Sequence, residues 1–267
     1  MPFFEANGAR LFYTDEGSGP PLLLVHGWSC DGTDWAWQTP ALVAAGYRCI
    51  VPDLRGHGRS SVPEDGFTPQ GYAADLAALI AHLGIAPVVA IGHSMGGATV
   101  VALAVEHPET VRAIVPVDSA YGMTGAPAEM EALIAAFRAE GGESAAIQMF
   151  TNSYGPGAPA HLAAIHARRI MAFDPQVRWK AIAGMVTAPD QFCVRPHSEA
   201  YLQRVAVPAL AFRAGREDPA AVAAWEKENF HHPKSHVVAW ENTGHWLHQE
   251  RPEEFDRELL DWLARLD

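Results

Sequence analysis

The stretch Val88-Val89-Ala90-Ile91-Gly92-His93-Ser94-Met95-Gly96-Gly97 decides the fold of this chain. Four apolar residues lead into a G-x-S-x-G sequence, and small residues follow it. This pattern is typical of a buried strand that turns sharply into a helix, with a serine held at the turn. The glycines permit the tight turn because they carry no Cβ. We therefore predict that Ser94 is a nucleophile at the end of a central strand.

Apolar runs of strand length recur on both sides of this stretch, at 21–25, 49–51, 113–115, 209–212 and 237–240. Helical patterns lie between them, with apolar residues three or four positions apart, as in 72–83 and 255–266. Alternation of strands and helices predicts an α/β fold with a mostly parallel sheet. Ligands of such sheets bind beyond the carboxyl ends of the strands, where Ser94 is placed.

The alternation stops after Asp118 and resumes near Pro208. Between them the chain has helical patterns, such as the apolar stripe within 130–137 that ends before Gly141-Gly142. We predict a core formed by 1–118 and 206–267, with 119–205 as a helical cap over the carboxyl edge of the sheet.

The composition excludes several classes of protein. The 267 residues are 49% hydrophobic and 19% charged, which suits one large α/β domain with an insertion rather than a disordered chain. A net charge of -12 disfavours nucleic acids and anionic membranes as partners. The three cysteines form no CxxC and fit no zinc spacing, and neither a signal peptide nor an apolar span is visible. We expect a cytoplasmic protein without cofactor or metal; its oligomeric state stays open.

A serine hydroxyl needs a neighbouring base that removes its proton. Gly244-His245 follows the predicted strand 237–240, the position expected for that base, and we predict His245. Other histidines, including His57, lie in contexts typical of surfaces or turns, and His248 comes too close to the last helix.

The imidazole in turn needs a carboxylate that fixes its tautomer. Asp218, in Gly215-Arg216-Glu217-Asp218 after the strand 209–212, gives the chain order Ser, Asp, His and is our prediction. Asp118 is the alternative, because it also ends a strand at the same edge.

Charge that develops on a carbonyl oxygen needs hydrogen-bond donors fixed in advance. The backbone N–H of Met95, at the start of the predicted helix, is one candidate. The N–H of Trp28, in the loop His26-Gly27-Trp28 after an early strand, is the second.

Together these motifs resemble the α/β-hydrolase fold superfamily over nearly the whole chain. The matching residues are His26-Gly27, 53–60, 92–97, 215–218, Gly244-His245 and Glu250-Arg251-Pro252-Glu253. The resemblance implies an eight-stranded, mostly parallel sheet, no metal and a helical cap, with 53–60 in a structural role. This chain departs from the family where Pro219 directly follows Asp218, which adds weight to Asp118. Similar haloalkane dehalogenases and epoxide hydrolases carry aspartate at the elbow, so Ser94 argues against those activities.

We predict hydrolysis of a small uncharged carboxylic ester or lactone through an acyl-enzyme, in an apolar pocket walled by Trp28, Met95, Trp35 and cap residues. Three alternatives stay open: a carbon–carbon bond hydrolase, a cofactor-free perhydrolase and a slow-turnover ligand receptor. The first needs polar side chains in the cap, for which the sequence offers Arg168, Arg169, Arg178, His161 and His166.

Overall fold

Eight strands form one sheet in the computed structural model, which describes residues 3–215 and 218–266 apart from the Pro219 side chain. The strands are β1 (Phe3–Ala6), β2 (Ala9–Gly17), β3 (Pro21–Val25), β4 (Arg48–Pro52), β5 (Val88–His93), β6 (Val111–Val117), β7 (Leu210–Gly215) and β8 (His236–Glu241). Their order is β1-β2-β4-β3-β5-β6-β7-β8. The pairs β1·β2 and β2·β4 are antiparallel and the others parallel, which confirms the predicted mostly parallel, eight-stranded sheet.

Helices cover both faces of the sheet. They are α1 (Gln38–Ala44), α2 (Pro69–Leu83), α3 (Met95–Glu106), α4 (Pro127–Arg138), α5 (Gly142–Thr151), α6 (Ala160–Ala172), α7 (Pro175–Val186), α8 (His197–Leu202), α9 (Pro219–Asn229), α10 (Leu247–Glu250) and α11 (Pro252–Leu263). Short 3₁₀ turns occupy Gly32–Trp35 and Pro108–Thr110. None of the helices in the described ranges has the length and apolarity required to cross a bilayer.

The period of two along the strands divides the core between the two faces. In β3, Leu23 and Val25 join a cluster with α2 and α3, whereas Leu22 and Leu24 join a cluster with α1 and α11. All six residues of β5 are buried, as expected for a central strand covered on both sides. The carboxyl end of β5, where Ser94 follows, is therefore held by packing from two directions.

The helices α4 to α8 all lie between β6 and β7. An isolated bridge joins Met123, before α4, to Val194, between α7 and α8. Side chains from α4, α5 and α7 reach the cavity beside Ser94. The division into a core (1–118 and 206–267) and a cap (119–205) stays a prediction, and the term cap below means residues 119–205.

The loop 53–60 is stabilised by its first residue. The carboxylate of buried Asp53 accepts hydrogen bonds from the Gly32 N–H at 2.7 Å and the Arg59 N–H at 2.8 Å. Asp53 thus ties this loop to the turn that follows β3, which supports a structural role for the segment.

Candidate active site

Ser94 occupies the turn between β5 and α3 with φ 54° and ψ −114°, a strained conformation for a residue with a Cβ. Its N–H donates to the Val117 carbonyl at 2.9 Å, and its own carbonyl accepts from the Gly97 N–H at 3.0 Å. These bonds to β6 and to α3 hold the backbone in place. The side chain is half-buried and lines a cavity.

The glycines on both sides of Ser94 permit this turn. A Cβ on Gly92 would lie 2.1 Å from the Gly96 carbonyl oxygen. A Cβ on Gly96 would lie 2.3 Å from the Val25 carbonyl oxygen, in β3. Both contacts involve backbone atoms, so the turn requires glycine at both positions.

His245 lies after β8, and its main chain is bonded on both sides. Its N–H donates to the Ser153 carbonyl at 2.7 Å, and its carbonyl accepts from Nε2 of His93 at 2.8 Å. The carboxylate of Glu250 accepts from the N–H groups of Gly244 at 2.8 Å and Gly155 at 3.1 Å. Glu250 therefore joins the His245 loop to the cap, which gives a physical reason for its place in the C-terminal motif.

Asp118 follows β6 and meets the His245 side chain. Its Oδ2 lies 2.6 Å from Nδ1 of His245, and its Oδ1 accepts from the Ala214 N–H at 3.1 Å. A carboxylate only accepts, so Nδ1 carries the proton and Nε2 carries the lone pair. Asp118 is almost fully buried, where such a hydrogen bond is strong.

Asp218 has a different role. Its Oδ1 accepts from the N–H groups of Ala220 and Ala221, both at 3.1 Å, and the residue is the exposed N-cap of α9. The prediction that Asp218 pairs with His245 is therefore wrong, and the alternative, Asp118, occupies that position. An aspartate directly before a proline is itself a helix-start signal, and it distinguishes the two carboxylates in the sequence. Arg216 and Glu217 lie outside the described residues.

Ser94, Asp118 and His245 line one cavity of about 330 Å³. Most of its wall is apolar and includes Trp28, Met123, Leu133, Met149, Phe150, Ile182, Met185, Val186 and Trp246. The predicted apolar pocket is present, with Trp28 in its wall. Met95 and Trp35 are not among the residues that line it, and Trp35 instead packs against His248 and Phe255 in the core.

The two predicted backbone donors lie just after the ends of the adjacent strands β3 and β5. Within 3–215 and 218–266, the N–H groups of Trp28 and Met95 have no hydrogen-bond acceptor. The Trp28 indole donates to the Arg178 carbonyl of α7 at 2.9 Å, which fixes this loop against the cap. Their role as oxyanion donors stays a prediction.

His57 lies in a turn, as expected, but its side chain is buried rather than at the surface. Its Nδ1 donates to the Arg55 carbonyl at 2.9 Å. Burial, assisted by the nearby His26, lowers the pKa of His57 to about 3 against the opposing hydrogen bond to Arg55. His57 is therefore neutral at physiological pH.

A second buried polar cluster, which the sequence did not reveal, lies beside the cavity. At its centre is Asp34, whose Oδ1 accepts from Arg169 at 2.6 Å and from Nε2 of Gln249 at 2.8 Å. Burial alone would raise the pKa of Asp34, but the charge of the adjacent Arg169 guanidinium holds it well below its usual range. Asp34 is therefore a buried carboxylate anion.

Two groups of described side chains have the spacing of metal ligands: Cys30, Asp34 and His166, and Asp34, His93 and His248. Asp34 is common to both, and Arg169 already balances its charge. A divalent ion would leave buried positive charge unbalanced, and we interpret these residues as a polar cluster around the ion pair of Asp34 and Arg169.

The family model described as the alpha/beta hydrolase fold matches residues 20–252, most of the chain. The chain belongs to the α/β-hydrolase fold family. The solved structure of a thermophilic esterase from Thermogutta terrifontis superposes on this α/β-hydrolase with a TM-score of 0.84 and 27% identity, covering 99% of this chain and 97% of the esterase.

Two curated relatives match over different extents. A non-heme haloperoxidase from Rhodococcus erythropolis is 47% identical over 108 residues, 40% of this α/β-hydrolase and 39% of the relative. A bifunctional epoxide hydrolase 2 from Sus scrofa is 26% identical over 96% of this chain and 53% of its own length. The chain thus aligns with about half or less of the length of these relatives.

Proposed function

We propose that this α/β-hydrolase cleaves carboxylic esters or lactones through an acyl intermediate on Ser94. The hydrogen bond of 2.6 Å between Asp118 and His245, in the wall of the cavity that Ser94 also lines, carries this proposal. A hydroxyl becomes an effective nucleophile when a base accepts its proton. A buried carboxylate orients that base and stabilises its protonated form.

In the proposed mechanism, Ser94 Oγ attacks the substrate carbonyl as Nε2 of His245 accepts its proton. The carbon–oxygen bond of the ester then breaks, and His245 returns the proton to the leaving alkoxide. A water molecule, deprotonated by His245, attacks the acyl carbonyl. The acid leaves, and the proton returns to Ser94 Oγ. For a lactone the alcohol and acid remain one molecule.

The N–H groups of Trp28 and Met95 are the proposed donors to the oxyanion of each tetrahedral intermediate. Each follows the carboxyl end of a strand, β3 or β5, and these strands are adjacent and parallel. Fixed backbone donors need no reorganisation as charge develops, and one such donor contributes about 3 kcal/mol of transition-state stabilisation.

The cavity favours a compact, uncharged substrate. Its volume of about 330 Å³ is near the lower end of ligand pockets, roughly 300–1,000 Å³. Its cationic side chain, Arg213, is already bonded to Glu226 at 2.9 Å and to the Ser119 carbonyl at 2.8 Å. The described wall therefore offers apolar surface rather than an uncommitted cation for an anionic group.

The cap residues do not support carbon–carbon bond hydrolysis. Arg169 contacts Asp34, the Arg178 guanidinium donates to the Phe137 carbonyl, and His161 stacks on Trp37. None of the five polar cap residues considered for that chemistry lines the described cavity. Epoxide hydrolysis is likewise disfavoured, since Ser94 stands where the similar epoxide hydrolases carry aspartate.

Perhydrolysis is a second candidate, favoured by the 47% identity over 108 residues to a protein named a non-heme haloperoxidase. In that reaction hydrogen peroxide, in place of water, attacks the acyl carbonyl on Ser94. The peracid leaves, and His245 carries the peroxide proton back to Ser94 Oγ. The residues are the same, so the two activities differ only in the second nucleophile.

A panel of p-nitrophenyl esters of increasing acyl length, with γ- and macrocyclic lactones and a ring-cleavage diketone, tests the proposal. We expect ester or lactone turnover that Ser94→Ala lowers by about 10⁶ in kcat. Ser61→Ala, outside the cavity, is the matched control. A loss of only a few-fold in Ser94→Ala would refute the nucleophile. Tight binding of a lactone without turnover would instead indicate a receptor, and peracid formation with added peroxide would indicate a perhydrolase.

A further inference from the structure

The buried Asp34 network contacts three segments that surround Ser94. Asp34 lies in the turn after β3, in the same loop as Trp28. Its carboxylate meets Arg169 of the cap at 2.6 Å and Gln249, four residues beyond His245, at 2.8 Å. Its other oxygen, Oδ2, lies 3.8 Å from Nδ1 of His93, which is contact without a hydrogen bond. His93 directly precedes Ser94 in the chain.

His93 connects this network to the proposed base. A carbonyl oxygen only accepts, so Nε2 of His93 must donate to the His245 carbonyl at 2.8 Å. That bond orients the almost fully buried ring, and its Nδ1 packs 3.8 Å from Asp34 without a hydrogen bond. Its neighbour in sequence is Ser94. The His93 side chain therefore links the main chain of His245 to the main chain next to Ser94.

The cap side of the network is formed by one face of α6. His166 and Arg169, three residues apart, both turn toward Asp34. The Tyr154 hydroxyl lies 2.8 Å from Nδ1 of His166, close to Ser153, whose carbonyl accepts from the His245 N–H. The main chain of His245 is thus bonded to the cap on one side and to His93 on the other.

We propose that Asp34 and His93 are positioning residues that hold His245, the cap and the Ser94 turn in one geometry for proton transfer. This inference rests on the proposed function only in taking Ser94 and His245 as the reacting pair. Neither residue is assigned contact with the reacting atoms. Because reactivity depends steeply on geometry, a displacement of about 1 Å lowers a rate by roughly 10²-fold.

Two substitutions of His93 distinguish the loss of its hydrogen-bond donor from the loss of its side-chain volume. His93→Gln retains an amide N–H near the position of Nε2, whereas His93→Leu removes the donor. We measure the rate of covalent labelling of Ser94 by a fluorophosphonate, which reports activation of the hydroxyl without ester turnover. We expect His93→Leu to react roughly 10²-fold more slowly than the natural chain, with His93→Gln within several-fold of it. In ester hydrolysis the loss should fall on kcat, with KM little changed.

The cap contact is tested with Arg169→Met and its neighbour Arg168→Met, an exposed residue of the same helix. We expect slower labelling for Arg169→Met and an unchanged rate for Arg168→Met. If Arg169→Met does not fold, the double variant Asp34→Asn/Arg169→Met removes both charges and carries the same expectation. Thermal unfolding of every variant identifies rate losses that come only from unfolding.

Equal labelling rates for His93→Leu and His93→Gln, in folded proteins, would overturn the inference. So would rates for the Arg169 variants equal to that of Arg168→Met. Labelling tests the inference even if the esters and lactones are not turned over. A failure of the inference can therefore be distinguished from a failure of the proposed substrate class. A natural chain that labels no faster than Ser94→Ala would overturn both.

Discussion

Oδ2 of Asp118 lies 2.6 Å from Nδ1 of His245, although 127 residues separate them in the chain. Asp118 follows β6, which pairs with β5 on one side and β7 on the other. Asp218 lies one strand further along the sheet, after β7, and caps α9 instead. The carboxylate that meets the imidazole is thus carried by the strand next to that of Ser94.

Asp118→Asn should lower kcat by about 10⁴, because an amide that donates to Nδ1 favours the wrong imidazole tautomer. Asp218→Asn is the matched control, since asparagine also caps helices and the activity should persist. Steady-state kinetics on the best ester of the panel measure both. The reverse ranking of the two variants would return the acid role to Asp218.

Met185→Ala should shift the acyl-length preference of the enzyme toward longer chains. Met185 is buried in the cavity wall, and its truncation enlarges the space for substrate while destabilising the fold by about 2–5 kcal/mol. We expect the ratio of kcat/KM for long over short esters to rise roughly tenfold. Met171→Ala, at a side chain 72% exposed, should change neither the ratio nor the stability. An unchanged ratio in Met185→Ala would place the acyl group elsewhere.

The ion pair between Arg55 and Asp75 should matter far more for stability than the pair between Arg48 and Asp15. The first joins nearly buried side chains at 2.6 Å, while both partners of the second are 30% exposed. Arg55→Met leaves a buried carboxylate uncompensated and should lower the free energy of unfolding by about 3–5 kcal/mol. Arg48→Met should cost about 0–1 kcal/mol. Urea denaturation at neutral pH compares them, and similar costs would contradict the burial argument.

His57 should make the fold sensitive to acid. Its pKa falls from 6.5 to about 3 on folding, so the folded state keeps the ring neutral. Its contribution to the free energy of unfolding is complete above pH 6.5. This contribution is lost as the pH falls toward 3, because the unfolded chain takes up the proton first. Between pH 7 and 4.5 the loss is roughly 2–3 kcal/mol.

The variant His57→Asn isolates this effect, since the asparagine amide can donate where Nδ1 does but does not titrate in this range. We expect its free energy of unfolding, measured in urea across that pH interval, to fall less steeply than that of the natural chain. Parallel curves for the two proteins would show that His57 is not a source of the acid sensitivity.

Local chemistry in the chain was sufficient to predict the sheet, the Ser94 turn and the place of His245. Apolar runs, glycine spacing and helix periodicity act over a few residues, so they can be recognised in linear order. The choice between Asp118 and Asp218 was not settled this way, because both end a strand at the same edge. Only Pro219 distinguishes them, because a proline directly after Asp218 is typical of the first residue of a helix and indicates that Asp218 is its N-cap.

The Asp34 network depends on the folded arrangement. Asp34, His93 and Arg169 come from a 3₁₀ turn, a strand end and a cap helix, and no spacing in the chain relates them. A buried carboxylate is stable only where an opposite charge reaches it, and that requires the cap to be packed against the sheet. The sequence by itself therefore identifies which residues can take part in the candidate site. Which side chains they contact is decided by how the elements pack in three dimensions.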